Sequence, residues 1–141
     1  MALTELASSC GVEHWVRKSN WLSASHHICD WELVGCDHSG RVKVLALDFN
    51  NLTGVLPTKL GLSLPKLQDL DLEHNRLEGT VPSSLGNLTS LVQLGLGGNL
   101  FGGKLPSAIC PTLARVVGKR RSNAGAPPPC DLSGSGFACP L

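Results

Sequence analysis

Aliphatic residues recur along the middle of the chain at a fixed interval. The segment that starts at Leu67 superposes on the segment that starts at Leu91, 24 residues later, and a unit longer by one residue starts at Val42. Each unit opens with the pattern apolar-x-x-apolar-x-apolar, whose final alternation predicts a short β-strand with its leucines on one face. Repetition at this period predicts a solenoid, because one unit cannot bury its apolar face alone.

Turn-forming and polar residues occupy equivalent positions in the same units. The shared columns hold asparagine, glycine and proline: Asn50, Asn75 and Asn99; Gly54, Gly79 and Gly103; Pro57, Pro82 and Pro106. Asparagine and glycine permit the sharp turn that follows each strand, and proline blocks continuation of the strand. An asparagine that recurs once per coil can hydrogen-bond the backbone of adjacent coils and so satisfy buried polar groups.

These columns resemble the plant-type leucine-rich repeat, LxxLxLxxNxLxGxIPxxLGxLxx, from Val42 to Ala114. The resemblance implies an α/β fold class in which residues 42–114 form three repeats of a short right-handed solenoid, with a parallel β-sheet on its concave face. It also implies a recognition function, the binding of a protein or peptide, in an extracellular protein or a receptor ectodomain.

Residues 1–41 resemble the N-terminal cap of the same family. The resemblance rests on Trp15, Trp21 and the run CDWELVGCD that ends at Asp37. The first coil of a solenoid would otherwise expose its leucines, and tryptophans are bulky enough to cover them. Family members commonly join the two cysteines of such a run, so the resemblance implies a Cys29–Cys36 disulfide.

The first residues of this cap predict a helix. Residues 2–9 form the helical stretch, with Thr4 near its start and Gly11 beyond its end. We therefore expect a helical, disulfide-bonded cap.

A zinc site is the alternative for the same cysteines. His26, His27, Cys29, Cys36 and His38 are all residue types that ligate zinc. Their spacing is not that of a standard zinc finger, and the chain has no second CxxC pair. The structural disulfide is therefore favoured, and zinc stays open at this stage.

The chain departs from the repeat pattern after residue 114. Residues 115–126 are basic and rich in glycine and alanine, which is typical of an inserted solvated loop. A nuclear localisation signal at residues 119–121 and translated non-coding sequence are the alternatives for this stretch. Residues 127–141 align as a degenerate fourth repeat or a truncated C-terminal cap.

The cysteines indicate the compartment. Six cysteines, most of them near the two ends of the chain, favour an oxidised and exported domain. The resemblance implies a second disulfide, Cys110–Cys130, whereas Cys10 and Cys139 have no evident partners. The first residues show no signal peptide. We therefore expect a fragment or an incomplete gene model of a secreted or cell-surface protein.

Size and charge exclude several kinds of partner. The chain of 141 residues and 14.8 kDa suits one domain. Lys and Arg number 12 against 11 Asp and Glu, so a net charge of +1 gives no reason to expect nucleic acid as the partner. No apolar run approaches the roughly 18 residues of a membrane span, so we expect no direct membrane insertion of this segment.

Catalytic motifs are absent from the sequence. It shows no Ser/His/Asp arrangement, no paired carboxylates in a pocket, no phosphate-binding glycine loop and no kinase motif, so we expect neither an enzyme nor a cofactor or metal. Two sequons, at Asn51 and Asn87, predict glycosylation if the chain enters the secretory pathway.

The residues that flank the inward leucines predict the binding face. The candidate ligand-binding residues are Lys43, Asp48, Phe49, Asp69, Asp71, Glu73, His74 and Gln93. The acidic residues among them predict a ligand of basic or amide-rich character that lies across the first two strands. The third strand carries Gly95, Gly97 and Gly98, and we expect it to be bare enough for a partner's backbone to approach closely.

Two other functions stay open from the sequence. One is a structural component of the cell wall or of a larger assembly, packed by its edges with no ligand on the concave face. The other is a fragment of a receptor kinase with leucine-rich repeats. A full-length transcript would separate these possibilities.

Overall fold

The computed structural model describes residues 1–103 and 105–109. Two helices, α1 (Ala2–Ser9) and α2 (Lys59–Ser63), accompany six short strands. The strands are β1 (Val34–Cys36), β2 (Val42–Ala46), β3 (Thr53–Val55), β4 (Asp69–Asp71), β5 (Arg76–Glu78) and β6 (Gln93–Gly95). Single 3₁₀ turns occupy Val12–His14, Ile28–Asp30, Ser83–Asn87 and Ser107–Ile109. Among the described residues no helix is long and apolar enough to cross a bilayer.

One strand from each repeat enters the main sheet. Its order is β1-β2-β4-β6, and β2, β4 and β6 run parallel. Leu45 pairs with Leu70, which in turn pairs with Leu94, so the sheet register follows the repeat register. The solenoid predicted from the repeats is confirmed. Its handedness and the concavity of this sheet face stay predictions.

Two features of the sheets differ from the expectation. β1 comes from the cap and pairs with β2 antiparallel, Gly35 opposite Val44, so the main sheet is not purely parallel. β3 and β5 also form a second, two-stranded parallel sheet. It arises because each coil stays in register with the next for a few residues after the turn, where Arg76 N–H donates to Leu52 O at 2.8 Å.

Leucine columns form the core. The inward leucines of the strands and the leucine after each turn are buried, from Leu45, Leu47 and Leu52 in the first repeat onward. At the back of each coil, Leu60 and Leu85 complete the core. Gly61 and Gly86 lie so close to the next coil that a Cβ would overlap the backbone at Ser84 and Ala108. Glycine at this position therefore sets how closely the coils stack.

The asparagine column links successive coils by hydrogen bonds. Asn75 Oδ1 accepts from the N–H groups of Asn50 and Leu52 at 3.0 and 2.9 Å. Its Nδ2 donates to the carbonyl of Leu47 at 2.8 Å. Asn99 repeats the arrangement one coil later, accepting from Leu77 N–H at 3.0 Å. The predicted backbone-satisfying role of this column is confirmed for these residues.

Tryptophans pack against one another in the cap. Trp15 and Trp21 lie edge to face with ring centroids 4.8 Å apart, and Trp21 and Trp31 lie 5.0 Å apart. The indole N–H of Trp15 donates to Cys10 O at 2.7 Å. Cys29 and Cys36 form the expected disulfide. Because that bond consumes both thiols, the zinc alternative is wrong, and no cluster of metal-ligating side chains occurs among the described residues.

The cap docks on the first repeat through Asn50. The Arg17 N–H donates to Asn50 Oδ1 at 2.6 Å, and Asn50 Nδ2 donates to Arg17 O at 2.9 Å. Cys10 is a buried free thiol, and burial raises its pKa to about 12. The Cys10 carbonyl accepts from Thr53 N–H at 3.1 Å. Residues of the cap thus take the place of a preceding coil.

Two cap carboxylates are held in their charged form. The Ser19 N–H and the Arg17 side chain hydrogen-bond Glu32 and hold its pKa below the ordinary value. The backbone N–H of Arg41, followed by that of Ser39, does the same for the pKa of Asp37. The cap is therefore braced by charge-assisted hydrogen bonds that require ionised carboxylates.

Several expectations fall on residues that the structure does not describe. The Cys110–Cys130 disulfide, the insertion at 115–126, the fourth unit at 127–141 and the question of Cys139 all lie outside residues 1–103 and 105–109. The division into a cap at 1–41 and repeats at 42–114 stays a prediction.

Candidate ligand-binding face

Four carboxylates collect on one part of the main sheet. Asp69 pairs with Val44 and Gln93, and Asp71 pairs with Ala46 and Gly95. The ladder continues beyond the strands, since Phe49 N–H donates to Glu73 O at 3.0 Å. This register sets Asp48 beside Glu73. We call Asp48, Asp69, Asp71 and Glu73 the acidic strip.

Side chains of the acidic strip lie over the glycines of the third repeat. A Cβ on Gly95 would stand 2.7 Å from Asp71 Oδ1 and 2.8 Å from Glu73 Cγ. Asp71 Oδ1 also accepts from the Glu73 N–H at 3.0 Å, which orients its carboxylate. The space expected to be bare at Gly95 is thus taken by the two carboxylates. Gly95 therefore makes room for the acidic strip and does not leave free space for a partner's backbone.

An aromatic pair stands at the end of the strip. The rings of Phe49 and His74 stack with centroids 4.3 Å apart and an angle of 21° between planes. The next residue in this column is Gly98, where a Cβ would stand 2.6 Å from His74 Nδ1. All of them have positive φ, 48° at Phe49, 53° at His74 and 69° at Gly98. Phe49 is exposed.

Sequence reasoning missed two residues beside this pair. Val16 of the cap and Arg76 of β5 line an open groove of about 390 Å³ together with Phe49, Asn51, His74, Asn75 and Gly98. We call Val16, Phe49, His74 and Arg76 the ledge. Arg76 could have been found from its position directly after the repeated asparagine of its own coil, but Val16 reaches the groove only through the folding of the cap.

The remaining candidate residues lie around the strip. Gln93 is next to Asp69 in the register of β4 and β6. Lys43 lies at the start of β2, half-buried, and its carbonyl accepts from Gln68 N–H at 2.8 Å. The structure therefore groups Gln93 with the acidic residues, and Lys43 at the opposite end of the strand from Phe49.

The two sequons differ in their surroundings. Asn51 is half-buried, and its Nδ2 donates to His14 O of the cap at 3.0 Å. Asn87 is exposed at the end of the 3₁₀ turn Ser83–Asn87. Of the two amide nitrogens, only that of Asn51 is tied into the contact between cap and repeats.

Comparisons with known proteins agree with this architecture. The leucine rich repeat family model matches residues 40–101. The "Receptor-like protein kinase 7" of Arabidopsis thaliana is 34% identical over 74% of this chain and 11% of its own length. The chain thus spans about a tenth of the length of the curated relatives that it matches.

Solved receptor structures are similar as well. The PEPR1–AtPEP1 structure superposes with a TM-score of 0.63 at 36% identity, covering 77% of this chain and 16% of that one. The Arabidopsis receptor kinase HAESA ectodomain, solved with a peptide hormone ligand, gives a TM-score of 0.60 at 25% identity, covering 81% of this chain and 20% of that one. Residues 40–101 are therefore leucine-rich repeats, and the chain resembles the ectodomains of plant receptors that carry such repeats.

Proposed function

We propose that this chain is a non-catalytic recognition module of a secreted or cell-surface protein, and that its acidic strip binds a protein or peptide of basic or amide-rich character. The observation that carries the proposal is the strip itself. Asp69, Asp71 and Glu73 project from one coil beside Asp48 of the coil before, although the whole chain has a net charge of only +1. Gln93 adds an amide at the edge of the same surface.

Two further observations support an extracellular peptide receptor. The Cys29–Cys36 disulfide persists in oxidising compartments such as the extracellular space. The similar HAESA ectodomain is described as bound to a peptide hormone, and the similar GASSHO1/SCHENGEN3 ectodomain as bound to CASPARIAN STRIP INTEGRITY FACTOR 2. As part of a longer protein, the module would also belong to a larger assembly that includes partners other than the ligand.

Strand geometry gives the spacing of the ligand's charges. Asp71 and Glu73 are two residues apart and so lie on the same face, about 6.6 Å apart along the strand. An extended peptide has the same repeat. Basic side chains two residues apart in the ligand therefore match the two carboxylates, whereas adjacent basic side chains point to opposite sides.

This match defines the test. The probe is an acetylated and amidated Gly-Lys-Gly-Lys-Gly peptide, and the control peptide is Gly-Lys-Lys-Gly-Gly with the same composition. Calorimetric titration of the full chain at low and high salt measures both affinities. We expect the alternating peptide to bind more tightly and its affinity to fall as salt rises.

Neutral variants locate the binding. Asp71→Asn with Glu73→Gln keeps an oxygen that can accept from residue 73 and should weaken the alternating peptide about fivefold. The matched control is Glu78→Gln, which neutralises an exposed carboxylate of β5 outside the strip. Equal binding by the Asp71/Glu73 variant and the unaltered chain would rule out the strip and favour a structural role without a ligand on this face.

A further inference from the structure

The stacked pair at the end of the strip occupies an unfavourable backbone conformation. Phe49 and His74 have φ of 48° and 53°, a left-handed region that costs energy for residues with a Cβ. The third repeat has Gly98 in the same column, so the fold accepts glycine there. Phe49 is 66% exposed, so burial in the core does not offset the energetic cost of its backbone conformation. Two stacked and exposed aromatic residues thus stand at positions where the fold accepts glycine, which favours a role in binding.

The surroundings of the pair define a subsite. Val16, which is 71% exposed, adds an apolar side chain from the cap to the groove. Arg76 adds an exposed guanidinium that forms no ion pair with another described residue. The lining of the groove thus combines apolar and aromatic side chains with the cation of Arg76. Its charge is opposite to that of the acidic strip, which ends one residue away at Glu73.

We propose that the ledge binds an aromatic side chain of the peptide ligand, and that Arg76 binds the carboxylate of the acidic residue adjacent to that aromatic residue. Neighbouring side chains of an extended peptide point apart, so the two can reach separate residues of the groove. This proposal rests on the proposed function, because the ledge continues the acidic strip. The ligand would present basic residues to Asp71 and Glu73, and then an aromatic–acidic pair to the ledge.

The chemistry of each contact follows from the geometry. An aromatic ring adds to the Phe49–His74 stack in an offset or edge-on arrangement and contacts Val16 with its other side. The guanidinium of Arg76 accommodates a carboxylate with two parallel hydrogen bonds. Asn51 in the groove is already held by His14 O, so the cap side of the groove is ordered before a ligand arrives.

Dipeptides isolate the subsite from the strip. The probe is Ac-Phe-Asp-NH2, with Ac-Phe-Asn-NH2 lacking the charge and Ac-Ala-Asp-NH2 lacking the ring. Backbone amide shifts of the isotope-labelled full chain should move at Val16, Phe49, His74 and Arg76, with a dissociation constant in the millimolar range. The neutral peptide should bind about threefold more weakly, and the alanine peptide should give no saturable shifts.

Two variants test the residues. Phe49→Gly removes the ring and relieves the strained backbone, so the variant should fold, yet Ac-Phe-Asp-NH2 should bind about fivefold more weakly. Arg76→Gln should make the Asp and Asn peptides equal. Leu62→Ala removes an exposed side chain of α2 away from the ledge and should change nothing.

The outcomes separate this proposal from the proposed function. Loss of the dipeptide shifts with retained binding of Gly-Lys-Gly-Lys-Gly would overturn the ledge alone. Ledge binding without strip binding would overturn the proposed function and leave the subsite standing as a site for an acidic aromatic segment only. Unchanged affinity in Phe49→Gly, or tighter binding of free-carboxyl N-acetylphenylalanine than of Ac-Phe-Asp-NH2, would overturn the ledge as a site for an internal aromatic–acidic pair.

Discussion

The cap and the repeats solve the same problem in opposite ways. In the repeats one contact is used again in each coil, as when Asn75 and Asn99 each donate to a leucine carbonyl of the coil before. In the cap each contact occurs once: three tryptophans pack in a row, two cysteines form a disulfide, and two ionised carboxylates accept hydrogen bonds. Asn50 lies where the two meet. Its side chain binds the N–H and the carbonyl of Arg17, so Arg17 supplies the partners that the preceding coil supplies to Asn75 and Asn99.

This difference predicts which part of the protein each mutation should destabilise. A repeat contact connects two neighbours that are themselves part of a continuous ladder, so its loss should affect the whole solenoid. A cap contact holds an irregular segment at one end. All three tryptophans lie in residues 15–31, so their fluorescence reports the cap, while far-ultraviolet circular dichroism reports the helices and strands throughout.

Asn75→Ala should have the largest effect. It leaves the buried N–H groups of Asn50 and Leu52 without their acceptor, which costs about 1–3 kcal/mol for each group, or roughly 2–6 kcal/mol. In urea unfolding, the midpoints measured by tryptophan fluorescence and by circular dichroism should shift together to a lower urea concentration. Asn99→Ala is the matched control and should cost about half as much, since only Leu77 loses its acceptor. Equal losses would mean that the cost does not follow the number of N–H groups left without an acceptor.

Gly61→Ala should be next in size. Its new methyl group would overlap the backbone at Ser84 and push two coils apart, for a cost of about 3 kcal/mol. Gly102→Ala is the control because nothing lies within 4 Å of the added Cβ. The free energies of unfolding of the two variants, obtained from thermal melts, should differ by most of that amount. A tolerated Gly61→Ala would show that the coils can separate without loss, against the close stacking described above.

Removal of the disulfide should be smaller and local. Cys29→Ser with Cys36→Ser opens a loop whose ends are 7 residues apart, which is worth about 2.5 kcal/mol in chain entropy. The tryptophan transition should shift to lower urea more than the circular dichroism transition does. Coincident shifts of equal size would indicate that cap and repeats unfold as one unit, and the contrast between them would fail.

Acid should give the smallest change. The folded pKa values of Glu32 and Asp37 lie below their ordinary values, so the stability that they supply is complete above those values and is lost as pH falls through the folded ones. We expect the tryptophan signal to weaken below about pH 4. In Glu32→Gln the acid transition should be shallower. Full retention of the cap signal to pH 2 would contradict this bracing.

Periodicity decides how much of this could be predicted. The leucine and asparagine columns could be predicted because equivalent residues of successive repeats have equivalent surroundings. Leu45, Leu70 and Leu94 accordingly align in the sheet as they do in sequence. The position of the Asp71 and Glu73 side chains against Gly95 could not be predicted, because it depends on side-chain torsion angles. Val16 also escaped prediction, since its place beside Phe49 is set by the unrepeated path of the cap. The candidate binding face therefore follows from the repeat columns, whereas its side-chain contacts depend on an arrangement that no period encodes.

Mapping the lysine peptide on the full chain tests the central claim most directly. Titration of Gly-Lys-Gly-Lys-Gly into the isotope-labelled protein, at low ionic strength, should move the backbone amides of Asp48, Asp71 and Glu73 together and to saturation. High salt should reverse these shifts. Shifts spread evenly over unrelated carboxylates such as Glu5, Glu13 and Glu78, with none that saturates at the strip, would contradict a recognition surface built by the register of the repeats.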